Sequence, residues 1–173
     1  RSSAFHEVID QYPDLEMVAQ QTANWEKTEA FDKTEAILQA NPELDGIICG
    51  NDTMLEGAVA ACEAAGKNIP VIGVDGSDEA AALIKDGKAT GTALQQFALM
   101  AEMAVEQADA YLKDGTTGLD EKQLVDCIAI TADNVDNLKT FVYTEGGAEA
   151  AEDTAEAETE DAGAEETTEG AAE

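Results

Sequence analysis

The stretch VIGVDGSDEAAALIK, residues 71–85, decides the fold of this chain. It opens with a short apolar run that ends on Asp75, and after one glycine it continues into an amphipathic segment that begins at Ser77, a favourable helix N-cap. A buried strand, a tight turn and a helix together form the repeating unit of an open α/β sheet. We therefore predict successive strand–helix units on both sides of this stretch.

Two further predicted strands end in the same way. The run IICGN at 47–51 ends on Asn51, and the run TGTALQ at 90–95 ends on Gln95. In an open α/β sheet, ligands bind beyond the carboxyl ends of the strands. Asn51, Asp75 and Gln95 are therefore predicted to converge on one crevice, and a binding site is the first functional hypothesis.

Helix capping separates these polar residues from ordinary helix starts. After Asn51, Thr53 and Glu56 have capping-box spacing, and Asp52 is itself able to accept backbone N–H groups. After Asp75, Ser77 supplies the N-cap. Asn51 and Asp75 are therefore predicted to be spare, although Asn and Asp also commonly satisfy turns.

The alternation of strand and helix signals predicts an α/β fold, a three-layer αβα arrangement with a mainly parallel sheet. The predicted helices span residues 2–11, 25–40, 53–65, 78–85 and 97–113. The predicted strands span residues 15–21, 46–50, 71–74, 89–94 and 123–130. The ordered body is expected to end near residue 142.

The C-terminal segment differs in composition from the rest of the chain. Residues 145–173 contain 12 acidic residues, no basic residue and no aromatic residue. Such a segment buries too little apolar surface to offset its ordering entropy, so we predict a disordered acidic tail over 143–173.

The charge and composition exclude several functions. The 173-residue chain has a formal net charge of −29, which disfavours nucleic acid and anionic lipid as partners. It has no apolar run near the about 20 residues that span a bilayer. Three dispersed cysteines and the single His6 give neither zinc-ligand spacing nor a nucleophile–base pair. We expect no metal, no cofactor and no catalysis.

The helix predicted at 97–113 carries an apolar stripe. Core packing is the simplest interpretation, and a partner-binding groove or a cofactor-binding segment is the alternative. The stripe contains Phe97, Met100, Ala101, Ala104, Ala108 and Leu112.

Several short motifs, taken together in order, resemble the C-terminal lobe of type I periplasmic sugar-binding proteins, the ribose- and galactose-type receptors of ABC importers. The resemblance runs from Arg1 to about Phe141. The motifs are Arg1 with Phe5, Ala23-Asn24-Trp25, Gly50-Asn51-Asp52 with Gly57-Ala58, Val71-Ile72-Gly73-Val74-Asp75-Gly76, and Gly91-Thr92-Ala93-Leu94-Gln95.

The resemblance implies that Arg1, Trp25, Asn51, Asp75 and Gln95 contact a ligand. Carboxylate, guanidinium and amide groups suit the hydroxyls of a sugar, and an indole suits the C–H face of its ring. Without the resemblance, Arg1 is an ordinary solvated terminal arginine and Trp25 is a core or rim residue.

The resemblance also implies a role and a missing part. The chain would be the non-catalytic solute-binding subunit of an importer, or a C-terminal fragment of one, because it begins at Arg1 and has no N-terminal lobe. It would bind a monosaccharide or polyol between two lobes and deliver it to a membrane ABC permease, outside the cytoplasm as a periplasmic protein or membrane-anchored lipoprotein. Residues 1–142 would form the lobe, with 97–121 packing against the N-terminal lobe.

Two alternatives stay open. The effector-sensing domain of a LacI-type transcription regulator shares this architecture, although those regulators usually carry two aspartates where this chain has Asp75-Gly76. A nucleotide-using α/β enzyme is less favoured, because the chain lacks Gly-x-Gly-x-x-Gly and the Gly-Lys-Ser/Thr of a P-loop.

Overall fold

A computed structural model describes residues 1–145 of the chain. The predicted acidic tail lies almost wholly outside the described residues. The elements are α1 (Ser2–Ile9), α2 (Lys27–Ala40), β1 (Ile47–Ile48), α3 (Asp52–Ala64), β2 (Val71–Asp75), α4 (Asp78–Lys85), β3 (Gly91–Leu94), α5 (Phe97–Asp114), β4 (Ile128–Thr131), a 3₁₀ turn (Val135–Asn137), β5 (Leu138–Lys139) and β6 (Val142–Tyr143).

The main sheet has the order β1-β2-β3-β4 within the described chain. β1, β2 and β3 are parallel, with Ile48 opposite Ile72 and Ile72 opposite Gly91. β4 runs antiparallel to β3 and closes the sheet on that side. The predicted α/β fold with a mainly parallel sheet is confirmed.

The core lies between one face of this sheet and helices α3 and α4. Leu55 of α3 and Ile84 of α4 are fully buried there against Leu94 and Ile130 of the sheet. On the opposite face, Ile48 is 43% exposed and Ile72 37% exposed. One face of the sheet therefore provides the core, and the other face is partly exposed.

The strand predicted at 15–21 is absent from the described structure. That segment forms no ladder, and β1 pairs with β2 alone. Leu15 and Val18 stay half-exposed, at 57% and 49%. An apolar alternation produces a strand only where a neighbouring edge pairs with it, and here β1 does not pair with this segment. The short β5–β6 hairpin near the end was not predicted.

Helix α5 contradicts the core-packing interpretation of its apolar stripe. Within the described chain, none of its side chains is buried, and Leu112 is 85% exposed. Phe97 makes an edge-to-face contact with Phe141, with ring centroids 5.5 Å apart. Among the helices formed by residues 1–145, none has the length and apolar character that crossing a bilayer requires.

Candidate functional site

Asp75 lies at the centre of the candidate site. Its Oδ1 accepts hydrogen bonds from Gln95 Nε2 at 2.6 Å and from Arg1 Nη2 at 2.9 Å. The helix that follows is capped by Ser77, whose Oγ accepts the N–H of Ala80 at 3.0 Å. The prediction that Asp75 is not needed for capping is therefore confirmed. Its carboxylate stays 23% exposed at the end of β2.

Arg1 and Trp25 form a second part of the site. The guanidinium carbon of Arg1 lies 5.6 Å from the centroid of the Trp25 ring, within the range of a cation–π contact. The same guanidinium also donates to the carbonyl of Gly50. The Trp25 side chain is 57% exposed, so it is neither a core residue nor hidden at a rim. The pair offers a flat apolar plate next to hydrogen-bond donors.

Gly50 makes room for this pair. A Cβ at that position would lie 3.2 Å from Cζ3 of Trp25 and 2.9 Å from Cε of Met54. A side chain here would therefore push against the indole and shift the plate away from the strand end.

Asn51 is placed at the site but is not spare. Its Oδ1 accepts the N–H of Met54 at 2.9 Å, so it is the N-cap of α3. Its amide Nδ2 lies 3.5 Å from the carbonyl of Trp25. The prediction that Asn51 is free of capping is wrong, because Asp52, which the sequence argument had allowed as a cap, turns into the core. With one hydrogen bond at Oδ1 and one long hydrogen bond at Nδ2, the amide keeps capacity to bind a ligand.

The structure brings all five predicted residues together. Asp75 links Arg1 to Gln95, Arg1 lies against Trp25, and Asn51 approaches the backbone of Trp25. These contacts gather the five side chains at the ends of β1, β2 and β3.

Sequence reasoning missed the role of Asp52. This aspartate is 2% exposed, and its carboxylate accepts hydrogen bonds from the backbone beyond β2 and from Thr92 of β3. The available signal was an acidic residue in the first turn of a helix that already had Asn51 as a possible cap.

Three of the five non-glycine residues with positive φ in the described chain lie at the site, and the other two are Thr140 and Phe141. Positive φ angles occur at Asn24 (47°), Trp25 (67°) and Asp75 (134°). Residues other than glycine rarely adopt these conformations, and they persist where surrounding contacts enforce them, often at functional positions. The strain therefore coincides with the residues that form the aromatic plate and the central carboxylate.

The neighbouring thiol is chemically inert. Burial raises the pKa of Cys49 from 9.0 to about 12, with smaller contributions from Cys62 and Asp52. Because only the thiolate is a strong nucleophile, Cys49 stays protonated at neutral pH and does not supply one. Within residues 1–145 no cluster of three or more metal-ligating side chains occurs. The groups present are suited to hydrogen bonding and stacking.

A cavity of about 630 Å³ adjoins the site. It lies between α1 and residues 16–25 on one side and β1 on the other, and it reaches the site at Arg1, Trp25 and Gly50. Asp75 and Gln95 do not line it. The polar side chains of the predicted site converge at the strand ends, beside this cavity.

The family profile described as "Periplasmic binding protein domain" matches residues 1–117. The chain belongs to this family. The resemblance inferred from the motifs is thereby confirmed.

Curated relatives agree with this family. The chain is 52% identical over 143 residues to the D-apiose import binding protein of Actinobacillus succinogenes, covering 82% of this chain and 46% of the relative. It is 48% identical over 142 residues to the protein of the same description from Paraburkholderia graminis, with the same coverage. It is 33% identical over 147 residues to the xylitol-binding protein of Mycolicibacterium smegmatis, covering 84% of this chain and 42% of the relative.

Solved structures show the same architecture. An ABC transporter solute-binding protein of Actinobacillus succinogenes with bound D-allose superposes with a TM-score of 0.73 at 33% identity, covering 79% of this chain and 48% of that protein. The Caulobacter myo-inositol binding protein gives 0.69 at 32% identity, with 78% and 47% covered. The chain spans about half the length of the relatives it matches.

Proposed function

We propose that this chain forms one lobe of the solute-binding receptor of an ABC importer and that it binds a neutral monosaccharide or polyol. The observation that carries the proposal is the hydrogen-bonded group of Arg1, Asp75 and Gln95 beside the exposed ring of Trp25. The two relatives described as D-apiose import binding proteins make D-apiose, a branched five-carbon sugar, the first ligand to test.

Each side chain has a role that its chemistry supports. Asp75 uses one oxygen for Arg1 and Gln95, so its other oxygen is suited to accept protons from sugar hydroxyls. Arg1 donates to ring or hydroxyl oxygens, and the amide groups of Asn51 and Gln95 add single hydrogen bonds. Trp25 packs against the C–H face of the sugar ring.

The lobe needs a second wall to enclose a ligand. The site is open at the strand ends, and the relatives are about twice as long as the matched region. We place a lobe at 1–142 and assign 97–121 to packing against a second lobe. The exposed apolar residues of α5, such as Val105 at 69% and Leu112 at 85%, support that assignment.

The proposed partners and location follow from the same role. A receptor of this kind passes its sugar to a membrane ABC permease and works outside the cytoplasm, as a periplasmic protein or a membrane-anchored lipoprotein. The Asp75-Gly76 pair supports this role over an effector-sensing domain, because LacI-type regulators usually carry two aspartates there.

Calorimetric titration tests the proposal. The longest natural polypeptide that contains this chain is titrated with D-apiose, D-ribose, xylitol, D-allose and myo-inositol, and with D-gluconate as a charged control. We expect saturable binding of at least one neutral compound and none of D-gluconate. If none of the neutral compounds binds, the proposed function is wrong.

A further inference from the structure

We propose that Asp52 is the positioning residue of the binding site: its buried carboxylate holds Asp75 and Gln95 in their ligand-binding arrangement without touching the ligand. The inference deepens the proposed function and rests on it for the identity of the ligand. It concerns a residue that follows directly after Asn51 and lies beneath the site.

The carboxylate makes hydrogen bonds with both of its oxygens. Oδ2 accepts the backbone N–H groups of Gly76 and Ser77, each at 2.8 Å. Oδ1 accepts the hydroxyl of Thr92 at 2.7 Å. With 2% exposure, the group is shielded from water, so these bonds are its main compensation for burial. It therefore joins α3, the turn after β2, and β3 at one point.

The held turn is the one that presents Asp75. Asp75 has a φ of 134° and Gly76 a φ of 85°, so two consecutive residues are in conformations that an L-residue rarely adopts. The two N–H groups that follow Asp75 both point to the carboxylate of Asp52. Fixing them fixes the direction in which the chain leaves β2, and with it the side chain of Asp75.

The third hydrogen bond reaches the other side of the site. Thr92 lies on β3, which pairs in register with β2, and Gln95 follows directly after the last residue of β3. Gly73, opposite Thr92, leaves room for the carboxylate, since a Cβ there would collide with Oδ1 of Asp52. The glycine at position 73 of this central strand therefore leaves the space that the carboxylate of Asp52 occupies.

A buried negative charge here has no basic partner among residues 1–145. The salt bridges of the described chain do not include Asp52. Instead, Asp52 is the first residue of α3, and its carboxylate accepts a hydrogen bond from the backbone N–H of Ser77, the N-cap of α4. The positive ends of two helix dipoles and three hydrogen bonds stabilise the charge. An anionic side chain is thus the natural choice for this junction.

The test compares Asp52→Ala with Asp52→Asn in the full natural polypeptide. Ala removes all three hydrogen bonds, whereas Asn retains an acceptor for the two N–H groups and an amide that donates to Thr92. We expect Asp52→Ala to raise the Kd for D-apiose at least about tenfold, and Asp52→Asn to raise it less than about threefold. Ile84→Val, a core change in α4, is the control for lowered stability alone, and we expect it to leave the Kd unchanged.

Two readouts separate positioning from general stability. Amide hydrogen exchange of Gly76 and Ser77 is expected to accelerate selectively in Asp52→Ala, with exchange in the middle of α3 unchanged. In a double-mutant cycle, most of the affinity loss of Asp52→Ala is expected to disappear when Asp75→Ala is already present. Unchanged exchange at these two amides, or fully additive affinity losses, would overturn the proposal.

The two proposals fail separately. If the wild-type protein binds no compound of the sugar panel, the proposed function fails, and the exchange of Gly76 and Ser77 still decides whether Asp52 holds the turn. If the sugar binds but Asp52→Ala binds as tightly as wild type, the positioning role fails alone.

Discussion

Replacing Asp75 with alanine is the most direct perturbation of the site. The change removes the acceptor shared by Arg1 and Gln95 and the remaining oxygen assigned to the sugar. A hydrogen bond to a charged group contributes about 1.5–3 kcal/mol, so two lost sugar bonds weaken binding by about 3 kcal/mol or more. At about 1.4 kcal/mol per factor of ten, the Kd is expected to rise at least about a hundredfold.

Isothermal titration calorimetry measures this effect, with thermal unfolding recorded in parallel. Because Asp75 lies at a strand end with 23% of its side chain exposed, its removal is expected to change the free energy of unfolding little. Asp86→Asn is the matched control: the same residue type, exposed at the C-terminal end of α4, outside the site. The control is expected to bind with wild-type affinity.

The result that would refute the reasoning is specific. If the Kd of Asp75→Ala for sugar lies within about threefold of the wild-type value while its melting temperature is unchanged, the carboxylate makes no net contribution to the binding free energy. The ligand then lies elsewhere. The cavity beside β1 would then become the place to search, since Asp75 does not line it.

Three further outcomes are expected. Trp25→Ala is expected to raise the Kd for sugar about tenfold because the stacking plate is lost, whereas Trp25→Phe is expected to retain most of the affinity. Sugar is also expected to change the fluorescence emission of Trp25, the single tryptophan of this chain. Equal affinities for the two variants would contradict a stacking role. Gly76→Ala is expected to lower the free energy of unfolding by about 2–4 kcal/mol, because its Cβ would lie 2.9 Å from Cβ of Leu94 at a φ of 85°. Gly66→Ala, at a φ of 64° with no atom within 4 Å, is its control and is expected to lose only about 1 kcal/mol in chemical denaturation. The free energy of unfolding is expected to fall above about pH 9, by up to about 1.4 kcal/mol per pH unit from Cys49, because its pKa is raised to about 12 in the folded protein and the unfolded state releases the proton first. Denaturation curves between pH 8 and 10.5 measure that slope, and an equal slope in Cys49→Ala would contradict the assignment.

The parts of the fold that local sequence determines were predicted well. Helix α4 has the predicted bounds, Asp78–Lys85, because its cap, its acidic first turn and its stop all lie within a few residues. The strand ends at Asp75 and Gln95 were placed correctly for the same reason. Local sequence signals were sufficient to place these two strand ends. The proximity of the Asp75 and Gln95 side chains then followed from the parallel arrangement of the strands.

The predictions that failed concern segments whose structure depends on residues far away in the sequence. Residues 15–21 have a strand pattern but form no ladder in the described chain, and α5 has an apolar stripe but no buried side chain. A periodic pattern indicates which side of a segment is suited to burial, and it does not identify what covers that side.

The exchange of roles between Asn51 and Asp52 has a similar cause. Either residue is able to cap α3, and local capping preferences do not separate them. Asp52 is drawn inward because three donors, from Gly76, Ser77 and Thr92, meet at one buried point that only tertiary structure creates. Asn51 then fills the cap position that remains.

The organisation of the site explains why its strain is tolerated. Trp25 and Asp75 are held at positive φ by contacts made on folding, through Arg1 on one side and Asp52 beneath the turn. The energetic cost of these conformations is therefore met by the folded core and not by the ligand. A sugar bound as proposed would find the carboxylate and the aromatic plate already oriented, so it would lose little affinity to reorganisation. If a second lobe completes the site as proposed, residues 1–142 alone would bind the sugar more weakly, by about a factor of ten for every 1.4 kcal/mol that the second lobe supplies.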